Sequence, residues 1–180
     1  GAEYQVLKGN VRFRHENALM YCDSAYFYDD DSFDAFGNVR VVDGTTMMTA
    51  DQMHYDGETQ LMRIRGNVVA NNDGTTLNTN ALDFFRDRNF GYYFGGGTIH
   101  DADMTLTSDK GYYYTTSKDY FFKDHVVLNH PNYTIKSDSL QFNNETGKTI
   151  LVGPSYVYEQ DYTIYTTNAK MNRKTQVGRL

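Results

Sequence analysis

A repeat of 28 or 29 residues is the feature of this sequence that most constrains its fold. A polar residue, usually Asp, recurs six times at the same place in a common motif: Asp23, Asp51, Asn80, Asp109, Asp138 and Thr167. An apolar residue stands three positions before each of them, and a small residue stands directly before. Regular periods of this length are typical of proteins that stack supersecondary units. We therefore expect one repetitive domain over residues 1–180, either as a whole protein or as a piece of a longer one.

Each repeat has the pattern of two strands. The polar motif is one strand, and an apolar stretch precedes it, most clearly as Gly-Asn-Val at residues 9–11, 37–39 and 66–68. Asp-Gly pairs at residues 43–44 and 73–74 indicate hairpin turns. Aromatic residues make up 15% of the chain and Pro only two residues, which favours strands. The sequence predicts an all-β fold of six two-strand repeats, elongated and with open edges at both ends, because one such unit cannot bury its apolar face alone.

The apolar residues change phase at the polar residue of each motif. Side chains three and one positions before it share a face of the strand, and those two and four positions after it share a face, but the parity differs between the pairs. One extra residue at the polar residue and its successor would return both pairs to a single face, as a β-bulge or a sharp corner does. We therefore predict a structural role at the bulge for Asp23, Asp51, Asn80, Asp109 and Asp138, whose side chains can satisfy backbone donors there.

The inward apolar stripe is the candidate binding surface. Such a stripe is in the first place a core, but two sheets that splay apart leave a channel that buries acyl chains at roughly 0.8 kcal/mol per methylene. The candidate groove residues come from both strands of the repeats: Met20, Phe27, Val39, Met48, Met53, Tyr55, Val68, Leu77, Leu82, Phe84, Ile99, Leu106, Tyr113, Ile135, Leu140 and Phe142.

The amino-acid sequence of the repeats resembles that of a known family. The segment 49–56, Thr-Ala-Asp-Gln-Met-His-Tyr-Asp, is followed by Gly-Asn-Val at 66–68, and residues 34–39 carry the same signature one repeat earlier. These segments resemble the OstA/LptA family of lipopolysaccharide-transport proteins, along the length of the chain. The resemblance implies a periplasmic β-jelly-roll whose apolar groove holds the acyl chains of lipid A.

The resemblance also implies a role and partners. The chain would be part of a bridge that carries lipopolysaccharide from the inner to the outer membrane of a Gram-negative envelope, with no catalysis and no cofactor. Its partners would be lipopolysaccharide and the other jelly-roll components of the bridge, and copies would associate end to end.

Other classes of function find little support in the residues. A net charge of −6 lacks the cationic surface that binds nucleic acid. The five His show no zinc-ligand spacing, and Gly95–Gly97 lacks the Lys and Ser or Thr of a phosphate-binding loop. Acidic clusters at residues 29–31 and 101–103 are typical of solvated turns. Cys22 cannot form an intrachain disulfide and stands where other repeats have small residues, so we predict no catalytic or metal site.

Two aromatic runs support an alternative. Residues 92–94 are Tyr-Tyr-Phe and residues 112–114 are three Tyr, and strand alternation places some of these rings outward. Exposed rings can bind a glycan or a protein, as in a structural or adhesive surface module. Cross-strand pairing that only stabilises a sheet is the simpler explanation of the same rings.

Overall fold

The computed structural model describes residues 3–172 and 177–179, and these residues form antiparallel strands. They include no α-helix and one 3-10 turn, at Arg86–Arg88. The chain divides into two compact units, residues 1–89 and residues 90–180. The all-β prediction is confirmed, while a single domain over residues 1–180 stays a prediction.

The first unit is a meander in which each strand pairs with the next one along the chain. At the turn between its last two strands, Asp73 and Gly74 have φ of 48° and 87°, the positive values that a type I′ hairpin turn requires. The strands are long, with 11 or 12 residues each: β1 (Tyr4–His15), β2 (Ala18–Tyr28), β3 (Phe33–Asp43), β4 (Thr46–Asp56), β5 (Leu61–Asn72) and β6 (Thr75–Phe85).

The second unit contains two interrupted strands followed by four long ones and a short one. The first interrupted strand breaks at Gly95 and Gly96, whose φ values are 74° and 98°, and the second breaks at Asp109. Its elements are β7 (Phe90–Tyr93), β8 (Gly97–Asp101), β9 (Met104–Ser108), β10 (Lys110–Tyr114), β11 (Asp119–His130), β12 (Tyr133–Asn143), β13 (Lys148–Tyr158), β14 (Thr163–Asn172) and β15 (Val177–Arg179). Counting each interrupted strand once, β1 to β14 make the six predicted two-strand repeats.

A register shift lies at the centre of the long strands. In the β1–β2 ladder, Gly9 and Asn10 together oppose the single residue Asp23. This is a β-bulge, and shifts recur in the β3–β4, β5–β6 and β11–β12 ladders. The extra residue lies on the Gly-Asn strand rather than at the Asp where the sequence pattern suggested it. Gly9 and Asn10 have φ of 81° and 49°, and Gly and Asn tolerate this left-handed backbone better than other residues do.

The strands bend sharply at these bulges. Phe13 of β1 pairs with Met20 in the ladder, and Phe27 lies seven residues further along β2, about 23 Å away on a straight strand. The rings of Phe13 and Phe27 are nevertheless 4.9 Å apart between centroids. The two halves of each strand therefore face each other across the interior. We call the bend the corner and the facing layers the two half-sheets.

Burial follows the predicted change of phase. The small residue before each polar position is buried in five of the six repeats: Cys22, Ala50, Thr79, Ser108 and Ser137. The polar residue is exposed in all six. The residue two positions after it is buried in every repeat: Ala25, Met53, Leu82, Gly111, Leu140 and Ala169. Both apolar pairs of a motif thus reach the same interior.

Candidate functional site

The exposed polar residues bind the backbone or side chains of a neighbouring corner. Nδ2 of Asn38 donates to Oδ2 of Asp23 at 2.9 Å, and Nδ2 of Asn67 donates to Oδ2 of Asp51 at 2.8 Å. The backbone N–H of Asn67 also donates to Oδ1 of Asn80, at 3.3 Å. Asp23 and Asp51 are therefore each hydrogen-bonded across the ladder to the Asn of the next Gly-Asn-Val segment.

The glycine of the Gly-Asn pair leaves room for this carboxylate. A Cβ at Gly37 or Gly66 would collide with the Asp that its neighbouring Asn binds, and both glycines have positive φ. In the second unit, a Cβ at Gly153 would lie 3.1 Å from Oδ2 of Asp138. The glycine thus satisfies two requirements at once, a left-handed backbone and close approach of an acid.

One corner of the second unit uses a histidine. His125 and Asp124 adopt the positive φ values that Asn and Gly have at the other corners. Nδ1 of His125 is 2.7 Å from Oδ2 of Asp109, and this hydrogen bond raises the pKa of His125. Asp124 pairs with Nζ of Lys110 at 3.2 Å. The same link between successive repeats is made here by charged groups.

The candidate groove residues divide into two groups. Ten are buried and act as core: Met20, Val39, Met53, Tyr55, Val68, Leu82, Ile99, Leu106, Ile135 and Leu140. Six are half-buried: Phe27, Met48, Leu77, Phe84, Tyr113 and Phe142. The half-buried side chains share the strand parity of buried neighbours, so they face the interior, but they are less completely covered than equivalent residues of other repeats such as Met20 and Tyr55. They are the part of the stripe that keeps contact with solvent.

The second unit adds interior aromatic residues that the motif did not select. The ring of Tyr120 stacks on Tyr113 at 4.2 Å between centroids and lies 6.1 Å from Phe142. Burial raises the pKa of Tyr120, and it raises that of Tyr93 to about 12. The hydroxyl of Tyr93 lies 2.5 Å from Oγ of Ser108. Both tyrosines belong to the less regular strand of a repeat, where only their parity with buried neighbours signals an inward position.

The outward rings of the two aromatic runs contact one another. Tyr92 and Tyr112 are directly paired across the β7–β10 ladder, with centroids 4.7 Å apart and planes 25° apart. Phe90 and Tyr114 are paired likewise, at 4.8 Å. Tyr92 and Tyr112 stack face to face, whereas Phe90 and Tyr114 are tilted and Tyr114 is 42% exposed. These contacts are the cross-strand pairing expected when aromatic residues stabilise a sheet.

The described residues also bear on the presence of a metal site, a reactive thiol and a membrane-spanning helix. No group of three or more His, Cys, Asp and Glu side chains in residues 3–172 and 177–179 is arranged to hold a metal ion. Cys22 is buried, and burial raises the pKa of its thiol. No helix in this part of the chain has the length and apolar character needed to cross a membrane.

Comparison with known proteins identifies the fold and the family. No curated protein matches the chain. Among solved structures, it is similar to LptH of Pseudomonas aeruginosa, described as the LptA-homologous periplasmic component of the lipopolysaccharide transport device. The TM-score is 0.51 at 15% identity, over 54% of this chain and 75% of LptH, and the likeness confirms the predicted β-jelly-roll. A family model described as OstA-like protein matches residues 1–138, and the chain therefore belongs to the OstA-like family.

Proposed function

We propose that this protein binds the acyl chains of lipopolysaccharide between its half-sheets and carries the lipid from the inner to the outer membrane as a periplasmic bridge protein. Membership of the OstA-like family and the fold shared with LptH support this role. The transport involves no catalysis and no cofactor, because burial of the acyl chains is the only chemistry required. The partners are lipopolysaccharide and the other jelly-roll components of the bridge.

The observation that carries the proposal is the row of half-buried apolar side chains facing the interior. Four lie in the first unit, at Phe27, Met48, Leu77 and Phe84. A closed core would bury them, whereas an acyl chain lying along them would exchange its water contacts for apolar ones. Each buried methylene contributes roughly 0.8 kcal/mol, so a dozen would supply enough free energy for tight binding.

Native mass spectrometry of the purified chain with lipopolysaccharide, and in parallel with its deacylated glycan, tests the proposal. We expect adducts with the acylated ligand alone. Equal adducts with both ligands would favour the glycan-binding surface module, and no adduct with either would refute lipid binding.

A matched pair of variants tests the groove itself. Phe84→Asp places a charge among the acyl chains, where its desolvation is costly, so we expect the lipopolysaccharide adduct to be lost. Val69→Asp is the control, because Val69 is exposed on β5. Phe84 is preferred to Leu106, which is 2% exposed and whose replacement by Asp would unfold the core. A folded Phe84→Asp variant with wild-type binding would remove this residue from the groove.

The proposed end-to-end association has a structural basis in the first strand. Strand β1 has one ladder partner among the described strands, β2, and its residues 4–10 are exposed. They include Tyr4, Val6 and Leu7, which leaves an apolar edge available to another copy. We expect light scattering to show a mass that rises with concentration over a hundredfold range.

Lysine substitutions supply the control for this measurement. Val6→Lys should hold the chain monomeric, and Val69→Lys in the interior strand β5 should not. A wild-type chain that stays monomeric at every concentration would contradict self-association. It would not affect the lipid-binding proposal, which native mass spectrometry tests separately.

A further inference from the structure

The two half-sheets of the first unit also meet on the side away from the corners. Nη2 of Arg86 is 2.6 Å from Oε2 of Glu16. Arg86 follows β6, six residues after Asn80 at the corner, and Glu16 follows β1, six residues after Asn10. Six residues of extended chain span about 20 Å. The ion pair therefore joins the end of β1 to the end of β6. Both ends lie about 20 Å from the corners, which connect the half-sheets on the opposite side.

Three aromatic rings pack together near this ion pair. The centroids of His15 and Tyr55 are 4.5 Å apart, and Phe33 stacks on Tyr55 at 5.2 Å. Burial raises the pKa of Tyr55, and the nearby Arg86 charge opposes that shift. Nε2 of His15 is buried and makes no hydrogen bond with any residue that the structure describes. A half-exposed ion pair and this buried imidazole nitrogen thus lie at the edge of an apolar interior.

The burial of Tyr55 shows the effect of these contacts. Tyr55 stands four positions after the polar residue of its repeat and is 3% exposed. The five equivalent residues of the other repeats are half-buried: Phe27, Phe84, Tyr113, Phe142 and Met171. Tyr55 packs against the rings of His15 and Phe33, with the Arg86 charge nearby.

We propose that His15, Glu16, Tyr55 and Arg86 form a clamp that closes the open side of the first unit and must release before an acyl chain enters between the half-sheets. The inference rests on the proposed function and names the route of entry to that site. The ion pair is suited to repeated release, because Glu16 is 55% exposed, and pairs of this kind contribute little to stability. The corners, which are continuous backbone, stay closed while the clamp opens.

Stopped-flow uptake of 11-(dansylamino)undecanoic acid, a fluorescent fatty acid, tests the clamp. Glu16→Gln removes the ion pair at an exposed turn, and we expect entry about two- to fivefold faster than in the wild-type chain. Asp124→Asn is the matched control, because it breaks the Lys110–Asp124 pair at a corner and leaves the open side untouched. Equal rates in Glu16→Gln, Asp124→Asn and the wild-type chain would overturn the proposal.

A cross-link gives the opposite perturbation. In a chain with Cys22→Ala, the pair Glu16→Cys and Arg86→Cys is joined by a short bis-maleimide, and unreacted protein is the control. We expect uptake at least tenfold slower after cross-linking, for the fatty acid and for lipopolysaccharide alike. Unchanged uptake of both by the cross-linked chain would refute the clamp alone. A wild-type chain that takes up neither ligand would refute the proposed function and the clamp with it.

Discussion

Replacing Gly66 by Ala tests whether the close packing at the corner stabilises this fold. Gly66 has φ of 76°, and a left-handed backbone costs a residue with a side chain about 1–2 kcal/mol. The new methyl group would also collide with the Asp51 carboxylate and lie 2.9 Å from its Cβ. Since rotation of the side chain cannot move a Cβ atom, the backbone of one strand must shift.

The shift breaks the hydrogen bond from Asn67 to Asp51. A bond to a charged group contributes about 1.5–3 kcal/mol, with the lower end appropriate to this exposed site. Together with the left-handed backbone and the overpacking, we expect Gly66→Ala to lower the free energy of unfolding by about 3–5 kcal/mol.

Gly9→Ala is the matched control for this substitution. Gly9 belongs to the same Gly-Asn-Val motif and has φ of 81°, but nothing lies within 4 Å of the position of its Cβ. It should therefore lose only the backbone contribution of about 1–2 kcal/mol. Urea unfolding at equal protein concentration measures both variants.

A double-mutant cycle with Asp51→Ala isolates the collision. Without the carboxylate, Gly66→Ala has less to displace, so the two substitutions together should cost about 1–3 kcal/mol less than the two measured separately. Equal losses for Gly66→Ala and Gly9→Ala, with no coupling to Asp51, would refute the close approach of acid and glycine as the reason for the motif.

Three further predictions concern single side chains. Burial and the Arg86 charge lower the pKa of His15, so the folded chain favours its neutral imidazole. The contribution of His15 to stability is therefore complete above about pH 6.5 and is lost as the pH falls below that value. Thermal unfolding at pH 7.5 and 5.5 should therefore show a smaller difference for His15→Asn than for the wild-type chain, and an equal difference would contradict this. The pKa of His125 is raised, so its contribution to stability is present at low pH and lost as the pH rises. The urea midpoint of His125→Asn should therefore match that of the wild-type chain at pH 8 and fall below it at pH 5.5. Equal midpoints for the two proteins at both pH values would exclude a charged pair with Asp109. Ser155→Ala should cost about 1 kcal/mol in urea unfolding, because the fully buried hydroxyl makes two hydrogen bonds, and no loss would show those bonds to be without net effect.

The number of strands and the positions of the corners could be predicted because short, local sequence patterns determine them. Gly, Asn and Asp recur at fixed spacing since the corner takes a left-handed backbone and, at Gly37 and Gly66, lets the Asp of the preceding repeat approach closely. The interruption of the fourth repeat is less visible. Gly95 and Gly96 predict a break, but the position of Tyr93 inside the unit depends on Gly97 and Gly111, against which its ring lies. Such packing joins residues far apart in the repeat and leaves no periodic signal.

The clamp could not be predicted from the sequence for the same reason. Residues of the same kind recur singly at equivalent positions, as His130 and Arg173 do for His15 and Arg86, so the period does not mark the members of the clamp as a group. Their contact depends on the angle at which the strands bend, which is set by the corners as a group. The candidate stripe was a mixture of core and rim because strand parity fixes which face a side chain takes. It does not fix how far the opposite layer reaches over that side chain.

The two sides of the first unit are held by different kinds of interaction, and this difference bears on how an acyl chain enters. At the corners, each strand is continuous, and hydrogen bonds such as that from Asn38 to Asp23 join one repeat to the next. Opening there would break many ladder bonds at once. On the other side lies the Glu16–Arg86 pair, in which Glu16 is 55% exposed, and a pair of this kind contributes only about 0.2–1 kcal/mol. Local opening follows the weaker side, because small local free energies allow frequent excursions. The half-sheets therefore hinge at the corners, and the entry route lies on the side that the clamp holds.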